Sequence, residues 1–317
     1  MSDPLKFVVA MFGAKHAGML IAHLESIAET HPEAAIEVFH QDIPAPLLKA
    51  MVQSRPEVRW TETHFKFAED KIQRISSKTL AWEFAVQQQP EGAWVCLLDV
   101  DTLVRRDLGK FFADPECDVV FTYKRGGFVL NSGVLLCRIN ARTRAFFERW
   151  RADSVAILGD PERFRQSSDP RLPYGGADQM ALHQTLGYRE GETQYRAEIG
   201  GETVRFRGEL CEVLNETRSV PLGDRAHILH YKGGWQPILL DGRRFSRHRP
   251  KAVSWEMYLF YLENFERALR RLNEAAGTRF TARDFHLQIP AYVHERNPAL
   301  RGLRYALFVA VDWRADV

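Results

Sequence analysis

Two aspartates that stand one residue apart follow a short apolar run in this chain. Asp99 and Asp101 come after residues 94–98, which are too few for a helix and have the Val and Leu content of a buried strand. Two like charges at the carboxyl end of a core strand repel each other and lose hydration, so they are unfavourable unless a cation lies between them. The pair therefore predicts a metal site.

His230 ends another apolar run and precedes a glycine turn, which makes it the candidate third ligand. One imidazole and two carboxylates form a mixed nitrogen and oxygen set that suits Mn²⁺ or Mg²⁺ and leaves positions for water or phosphate oxygens. Gly233 and Gly234 allow backbone amides to approach an anion closely. A histidine that is satisfied within the core is the alternative interpretation of His230 alone. Together, the three ligands predict a cation that binds a diphosphate.

Strand and helix patterns alternate along most of the chain. The spacing of apolar residues predicts helices over 17–30, 76–89 and 141–153, and a further helix that opens near 177. It predicts strands over 5–11, 36–40, 58–60, 94–99, 118–123 and 130–137, with a polar turn at 131–133, and a strand that delivers His230.

Proline and glycine mark the connections between these elements. Pro44 and Pro46 indicate a loop, and so does the Pro, Gly and Asp content of 158–176. Alternating strands and helices predict an α/β fold with a mainly parallel, doubly wound sheet that is flanked by helices. In such a sheet, ligands bind beyond the carboxyl ends of the strands, where Asp99 and Asp101 stand.

The composition is that of a soluble globular protein, since 45% of the 317 residues are hydrophobic and 26% are charged. No run approaches the roughly 20 apolar residues of a membrane span, and the start of the chain lacks the basic and apolar regions of a signal peptide. We therefore expect a cytoplasmic protein. The four cysteines are too widely spaced for a zinc site or a disulfide framework.

The end of the chain is basic. Residues 241–317 contain 14 Lys and Arg against 9 Asp and Glu, and they include an amphipathic helix pattern from Trp255 to Leu272. We expect a catalytic domain over 1–242 and a basic, mostly helical extension over 243–317. Because no motif for stacking on bases accompanies the basic residues, nucleic acid is not an expected partner. The basic residues form either an ordinary solvated surface or a patch for anionic lipid at the inner face of the membrane, or for an acidic acceptor.

Four motifs occur in a recognisable order. They are the strand that ends at Asp99 and Asp101, Leu-Asn-Ser-Gly-Val-Leu-Leu over 130–136, Ala-Asp-Gln over 177–179, and His-Tyr-x-Gly-x-x-Gln-Pro over 230–237. In this order, residues 5–240 resemble the GT-A-fold glycosyltransferases of family 8, which are retaining enzymes. The resemblance implies a GT-A-like fold and transfer of a hexose from a nucleotide-diphosphate sugar, with a UDP-sugar as the first candidate. The implied acceptor is a glycan, a lipid-linked saccharide or a small molecule.

The resemblance also implies roles for individual residues. Asp99, Asp101 and His230 would bind Mn²⁺ or Mg²⁺, which would clamp the diphosphate, and Gly233 would lie against the phosphates.

Four further residues receive roles at the donor sugar. Asn131 and Asp178 would face its hydroxyls, Gln179 would lie beside the anomeric carbon, and Lys78 would lie near the sugar and the metal acids. The candidate catalytic residues are therefore Gln179, Asp178 and Lys78. The candidate donor-binding residues are Asn131, Ser132, Gly133, Lys232, Gly233, Gly234, Phe12, Gly13 and Lys15.

The chain departs from the family pattern at two places. Residues 12–15, Phe-Gly-Ala-Lys, stand in the first β-α turn, where the family carries an acid that reads uracil. Gln236 stands where the family's histidine motif carries the lysine that contacts the diphosphate, so Lys232 or Lys15 would have to replace that lysine. The nucleotide base is therefore left open.

Three other functions fit parts of the sequence. A haloacid-dehalogenase-type phosphatase has its nucleophile in Asp-x-Asp-x-Thr/Val, but here Leu103 takes the Thr/Val position. A nucleotidyltransferase would need a glycine-rich, basic phosphate loop after the first strand, and Gly13 to Gly18 is a poor version of one. A non-catalytic protein that binds nucleotide sugars would keep the same fold.

Overall fold

The computed structural model describes residues 5–64, 78–112, 114, 116–124, 129–169, 171–172, 174–189, 192–217, 225–232, 235, 239–240 and 255–287. Its strands, in chain order, are β1 Lys6–Phe12, β2 Ala35–Gln41, β3 Arg59–Glu62, β4 Trp94–Asp99, β5 Thr102–Val104, β6 Val119–Tyr123, β7 Leu130–Arg138, β8 Gln194–Ile199, β9 Glu202–Leu210 and β10 Ile228–His230. Its α-helices are α1 Ala17–Thr30, α2 Ala45–Ser54, α3 Lys78–Gln87, α4 Ala141–Gly159, α5 Pro161–Ser167, α6 Ala177–Leu186, α7 Cys211–Leu214 and α8 Trp255–Ala276.

Eight of the strands form one mixed sheet in the order β3-β2-β1-β4-β7-β6-β9-β8. The side from β3 to β4 is parallel, as expected for a doubly wound half. On the other side, β7 is antiparallel to both β4 and β6, while β9 is parallel to β6 and antiparallel to β8. A separate antiparallel pair joins β5 to β10.

Helices cover both faces of the sheet, which is why β1 and β4 are largely apolar. In β1, Phe7, Val9 and Met11 belong to the core that includes α1, whereas Val8 and Ala10 belong to the core that includes α3 and α6. Side chains on a strand alternate between faces, so a strand that is buried on both faces is apolar at most of its positions. The continuous apolar runs of the sequence are explained by this burial.

The predicted amphipathic helix of the last segment is present as α8 and packs against α1 and α2. Its buried face includes Tyr261, Leu262 and Phe265, which join the core on the α1 side of the sheet. The Tyr231 hydroxyl donates to the carbonyl oxygen of Met257 at 2.8 Å, so α8 also contacts the segment that follows β10. The rest of the predicted extension, 243–254 and 288–317, lies outside the described residues.

The structure corrects two predicted loops. Helix α2 begins directly after Pro44, with Pro46 in its first turn, where a missing amide hydrogen costs nothing. Helix α5 occupies part of the 158–176 segment, because the Asp160 carboxylate accepts hydrogen bonds from the amides of Glu162 and Arg163 at 3.0 and 3.2 Å.

Residues 131–133 lie within strand β7 rather than in a turn that precedes it. The pairing of β6 with β7 jumps between Phe121, opposite Leu135, and Thr122, opposite Asn131. Such a bulge turns side chains out of the regular ladder and occurs next to binding sites. The polar residues of the motif are therefore placed at the sheet edge by an irregular strand.

Candidate metal centre

Asp99, Asp101 and His230 lie together at the carboxyl end of β4. Pairing of β5 with β10 sets Thr102 opposite His230, which carries the imidazole from far along the chain to the two acids. One ligand atom from each of the three residues lies within 4.8 Å of the others. His230 Nε2 is 3.1 Å from Asp101 Oδ1. The predicted ligand set is thus assembled as one cluster.

Hydrogen bonds to backbone groups fix the turn between β4 and β5 that carries the two acids. The Tyr231 amide donates to the Asp101 carbonyl oxygen at 2.7 Å, and the Thr102 hydroxyl donates to the Asp99 carbonyl oxygen at 2.8 Å. The buried His23 of α1 contacts the Thr102 carbonyl oxygen through Nδ1. These contacts hold the two carboxylates at one place beside β10.

Gly133 provides space beside the cluster. A Cβ atom at this position would lie 2.5 Å from His230 Cε1, 2.8 Å from Asp99 Oδ2 and 3.0 Å from Asn131 Oδ1. Real Cβ atoms essentially never approach other atoms this closely. The glycine therefore keeps a gap between one carboxylate and the imidazole, and the residues present fit a small divalent cation with oxygen and nitrogen ligands.

Asn215 orients the histidine. Its Nδ2 group donates to Thr122 Oγ1 at 3.0 Å and to Asn131 Oδ1 at 2.8 Å, which turns its Oδ1 toward His230. His230 Nδ1 lies 2.8 Å from this oxygen and must donate its hydrogen to it. Because the Nδ1 hydrogen is held there, the neutral ring presents the lone pair of Nε2 to a metal.

Lys78 joins the metal acids to a second acidic residue. Its ammonium group lies 3.0 and 2.8 Å from the two oxygens of Asp99 and 3.5 Å from Asp178 Oδ2. The Ser132 hydroxyl donates to Asp178 Oδ2 at 2.5 Å. Helices α3 and α6 therefore each contribute a charged residue from their first turn to the cluster on β4 and β7.

The electrostatics of the cluster favour charged side chains. Burial lowers the pKa of Lys78, but the carboxylates of Asp99 and Asp178 outweigh this effect and the pKa is raised. Burial raises the pKa of Asp101, but His230, with smaller contributions from His16 and Lys78, holds it well below the usual range. Three carboxylates and one lysine leave net negative charge when His230 is neutral, which favours a divalent cation.

The fold is similar to that of a solved glycosyltransferase structure. The glycosyltransferase GlyE of Streptococcus pneumoniae TIGR4 matches this chain with a TM-score of 0.54 at 15% sequence identity, over 86% of this chain and 62% of GlyE. The chain has a GT-A-type glycosyltransferase fold. A structure of the galactosyltransferase LgtC in complex with donor and acceptor sugar analogs is 18% identical, over 90% of this chain and 98% of LgtC, with a TM-score of 0.49. No protein-family model and no curated protein matches the sequence.

The GT-A fold brings most of the predicted site residues to one end of the sheet. Asn131, Ser132 and Gly133 of β7 and Asp178 of α6 all contact the cluster or its supporting residues. Asn131 Oδ1 accepts hydrogen bonds from Asn215 and from the Gly133 amide, so its own Nδ2 group is the part that could donate to a sugar. Its contact with the donor sugar stays a prediction.

Gln179 has a different environment from Asp178. Its Nε2 atom donates to the Gly175 carbonyl oxygen of its own loop at 3.4 Å. A Cβ atom on Gly175 would lie 3.0 to 3.2 Å from the Gln179 amide group, so the glycine lets this side chain fold over the loop. Successive helix residues point about 100° apart, which accounts for the separation of the two side chains. A role for Gln179 at the anomeric carbon stays a prediction.

The predicted residues after β1 are also at this end of the sheet. Gly13 has a φ of 85°, and its amide donates to the Gln41 carbonyl oxygen of β2 at 2.8 Å, so a residue with a side chain would be strained there. Phe12 ends β1, and Lys15 is exposed in a 3-10 turn whose next residue, His16, lowers the pKa of Asp101. Because Ala10 of β1 is paired with Asp99 of β4, the turn after β1 lies at the same end of the sheet as the two acids.

Lys232 lies two residues after His230 and is partly buried. Burial and the charge of Lys124 lower the pKa of Lys232 to about 8. The predicted phosphate contacts Gly233 and Gly234 lie outside the described residues. None of the described helices is long and apolar enough to cross a bilayer.

The sequence did not predict the residues that support the candidate metal ligands. Asn215, Thr122 and His16 belong to no motif, and single polar residues beside apolar strands are common. Asn215 becomes recognisable only when folding sets it against His230 and Asn131. No signal in the sequence separates it from an ordinary surface asparagine.

Proposed function

We propose that this chain is a metal-dependent glycosyltransferase that moves a hexose from a nucleotide-diphosphate sugar to an acceptor hydroxyl with retention of the anomeric configuration. The observation that carries the proposal is the cluster of Asp99, Asp101 and His230, whose ligand atoms lie within 4.8 Å of one another at the end of β4. The GT-A fold supports the reaction class, although fold alone does not determine activity. The match covers 62% of GlyE, so the activity of the whole GlyE protein is not attributed to this chain.

The metal ligands would act on the leaving group. When the bond between the sugar and the diphosphate breaks, its electron pair stays on the phosphate oxygen and positive charge grows on the sugar ring. Mn²⁺ or Mg²⁺ held by Asp99, Asp101 and His230 would supply positive charge at that phosphate. Asn215 fixes the His230 ring in advance, so no reorientation of this ligand is needed during the reaction.

Lys78, Asp178 and Ser132 would position the donor sugar. Their hydrogen bonds and ion pairs form a continuous row from the metal acid Asp99 to the first turn of α6. Carboxylate and hydroxyl groups are suited to bind sugar hydroxyls, and a rigid row would fix the ring relative to the diphosphate. The acceptor hydroxyl would then attack the anomeric carbon from the face that the diphosphate leaves, and its proton would pass to a phosphate oxygen. Gln179 would give polar support only.

The donor is proposed to be a nucleotide-diphosphate sugar, with a UDP-sugar as the first candidate. The turn at Phe12, Gly13 and Lys15 lies at the same end of the sheet as Asp99, as a nucleotide-binding turn would, but it lacks an acid. The comparison with known folds favours neither the phosphatase nor the non-catalytic binding protein.

A donor screen tests the proposal. The full-length protein is mixed with the diphosphates of uridine, guanosine, adenosine, cytidine and thymidine, each with and without Mn²⁺, and its melting temperature is measured. One nucleotide should raise the melting temperature strongly only when Mn²⁺ is present, because a ligand that binds the folded state alone stabilises it. A sugar carried by that same nucleoside diphosphate should then be hydrolysed slowly in the presence of Mn²⁺. Equal stabilisation with and without metal, or release of phosphate from a monoester instead, would contradict the proposal.

A further inference from the structure

Strand β5, which follows the two metal acids, has one edge paired and one edge turned toward helix α1. Among the described strands, β10 alone pairs with β5. The Tyr231 amide of the β10 side donates to the Asp101 carbonyl oxygen at 2.7 Å. Alternate residues of an antiparallel strand direct their backbone groups toward the partner and away from it. The carbonyl oxygen of Thr102 and the amide of Val104 therefore face away from β10.

Side chains of α1 make the hydrogen bonds that a neighbouring strand would make at this outer edge. His23 Nδ1 contacts the Thr102 carbonyl oxygen, and the Val104 amide donates to Ser26 Oγ at 3.0 Å. One residue of a parallel neighbouring strand would donate to this same carbonyl oxygen and accept from this same amide. His23 and Ser26 lie one turn apart on the same face of α1, and both are fully buried. Together they replace one residue of a third strand.

The hydrogen-bond roles of these two side chains are fixed. A carbonyl oxygen can only accept, so His23 Nδ1 carries the ring hydrogen. Burial lowers the pKa of His23 to about 4, so the ring is neutral at pH 7. The Ser26 hydroxyl donates its hydrogen to the His23 carbonyl oxygen at 2.7 Å, which leaves its lone pairs for the Val104 amide. Helix α1 therefore presents one donor and one acceptor to β5 in a fixed arrangement.

The position of β5 determines how far apart the candidate metal ligands lie. Asp99 belongs to β4, and its pairing with Ala10 of β1 holds it in the central sheet. Asp101 directly precedes β5. His230 ends β10 and reaches the acids through its pairing with Thr102 of β5. A shift of β5 would therefore move two of the ligands relative to the third.

Helix α1 thus supports the metal centre from behind β5. We propose that His23 and Ser26 are positioning residues of the metal centre, an inference that rests on the proposed function. By holding the outer edge of β5, they keep Asp101 and His230 at the distance from Asp99 that one cation requires. Both act through the backbone of β5, and neither is itself a ligand.

Mn²⁺ binding, measured by calorimetry on the full-length protein, tests this inference. His23→Leu removes the donated hydrogen and should weaken Mn²⁺ binding about tenfold, the lower end of the effect of groups that orient metal ligands. His23→Asn should restore most of the affinity, because the asparagine amide nitrogen takes the place of Nδ1 and can donate to the same carbonyl oxygen. Ser26→Ala removes the acceptor with little change in volume and should also weaken Mn²⁺ binding.

Thr143→Val is the matched control. The buried Thr143 hydroxyl of α4 donates to the Arg138 carbonyl oxygen at 2.6 Å, so it also joins a helix side chain to a strand backbone. Arg138 is at the end of β7 opposite the one that carries Asn131 and Gly133. This variant should have a lower melting temperature and the Mn²⁺ affinity of the wild-type protein. In the metal-free protein, the Val104 amide should exchange with solvent faster in Ser26→Ala than in Thr143→Val.

Unchanged metal binding would overturn the inference. A folded His23→Leu protein with wild-type affinity for Mn²⁺, or an equal loss of affinity in His23→Leu and His23→Asn, would show that the donated hydrogen does not position the ligands. If His23→Leu does not fold, Ser26→Ala decides, and wild-type Mn²⁺ affinity despite faster exchange of the Val104 amide overturns the inference. Absence of Mn²⁺ binding by the wild-type protein would instead contradict the metal centre itself, so failure of the proposed function is a separate result.

Discussion

Replacing Asp101 with asparagine should remove metal-dependent activity. The substitution keeps the size of the side chain but removes a charge that the cation needs, and it leaves His230 Nε2 without the carboxylate that lies 3.1 Å away. We expect Mn²⁺ affinity to fall at least about a hundredfold and the rate of donor hydrolysis to fall about a thousandfold, since stabilisation of leaving-group charge by a metal is worth several kcal/mol. Calorimetry with Mn²⁺ and an assay of donor hydrolysis measure the two effects.

Glu91→Gln is the matched control for this substitution. It also neutralises an acid, but Glu91 is exposed and its nearest ion-pair partner, Arg144, is 4.0 Å away. The control should bind Mn²⁺ and hydrolyse the donor like wild type. If Asp101→Asn retained wild-type affinity for Mn²⁺ while folded normally, Asp101 could not be a metal ligand.

Gly133→Ala should weaken Mn²⁺ binding, although it adds only one methyl group. The added Cβ would meet His230 Cε1 at 2.5 Å and Asp99 Oδ2 at 2.8 Å, so the imidazole and the carboxylate must move apart. Both groups are held, His230 by Asn215 and Asp99 by Lys78, so the movement breaks hydrogen bonds as well as the metal geometry. We expect Mn²⁺ affinity to fall about a hundredfold, comparable with the upper effect of disturbing groups that orient metal ligands.

The matched control is Gly159→Ala at the end of α4, where a Cβ would meet no atom within 4 Å. This variant should keep both its melting temperature and its affinity for Mn²⁺. Circular dichroism shows whether Gly133→Ala is folded, and calorimetry gives its affinity. A folded Gly133→Ala protein that binds Mn²⁺ as tightly as wild type would mean that the cation does not lie between His230 and Asp99.

The cluster of Asp99, Asp101 and His230 could be predicted because each of its two parts lies within a short stretch of sequence. Asp99 and Asp101 follow a run that has the length and composition of a buried strand, and buried like charges need a cation. The position of His230 relative to these acids depends on the pairing of β5 with β10, which joins residues far apart in the chain. The order of the motifs along the chain, rather than the periodicity of apolar residues, indicated that His230 and the two acids belong to one site.

Other parts of the site depend on tertiary contacts that leave no pattern in the sequence. The bulge that turns Ser132 toward Asp178 arises where β7 shifts its register against β6. Asn215 acquires its function from three hydrogen bonds to residues on other elements. The sequence did not predict helix α5, because Pro161 and the polar residues after it are also typical of a loop. In the structure, the Asp160 side chain caps the first turn of this helix.

Anomalous diffraction at the manganese edge, from crystals grown with Mn²⁺ and the stabilising nucleoside diphosphate, tests the metal assignment most directly. We predict one strong peak about 2.0 to 2.4 Å from an oxygen of Asp101 and from His230 Nε2, with a diphosphate oxygen in the same coordination sphere and His230 Nδ1 still bonded to Asn215. A diphosphate bound at the sheet edge without such a peak, and with His230 Nε2 still against Asp101, would contradict it.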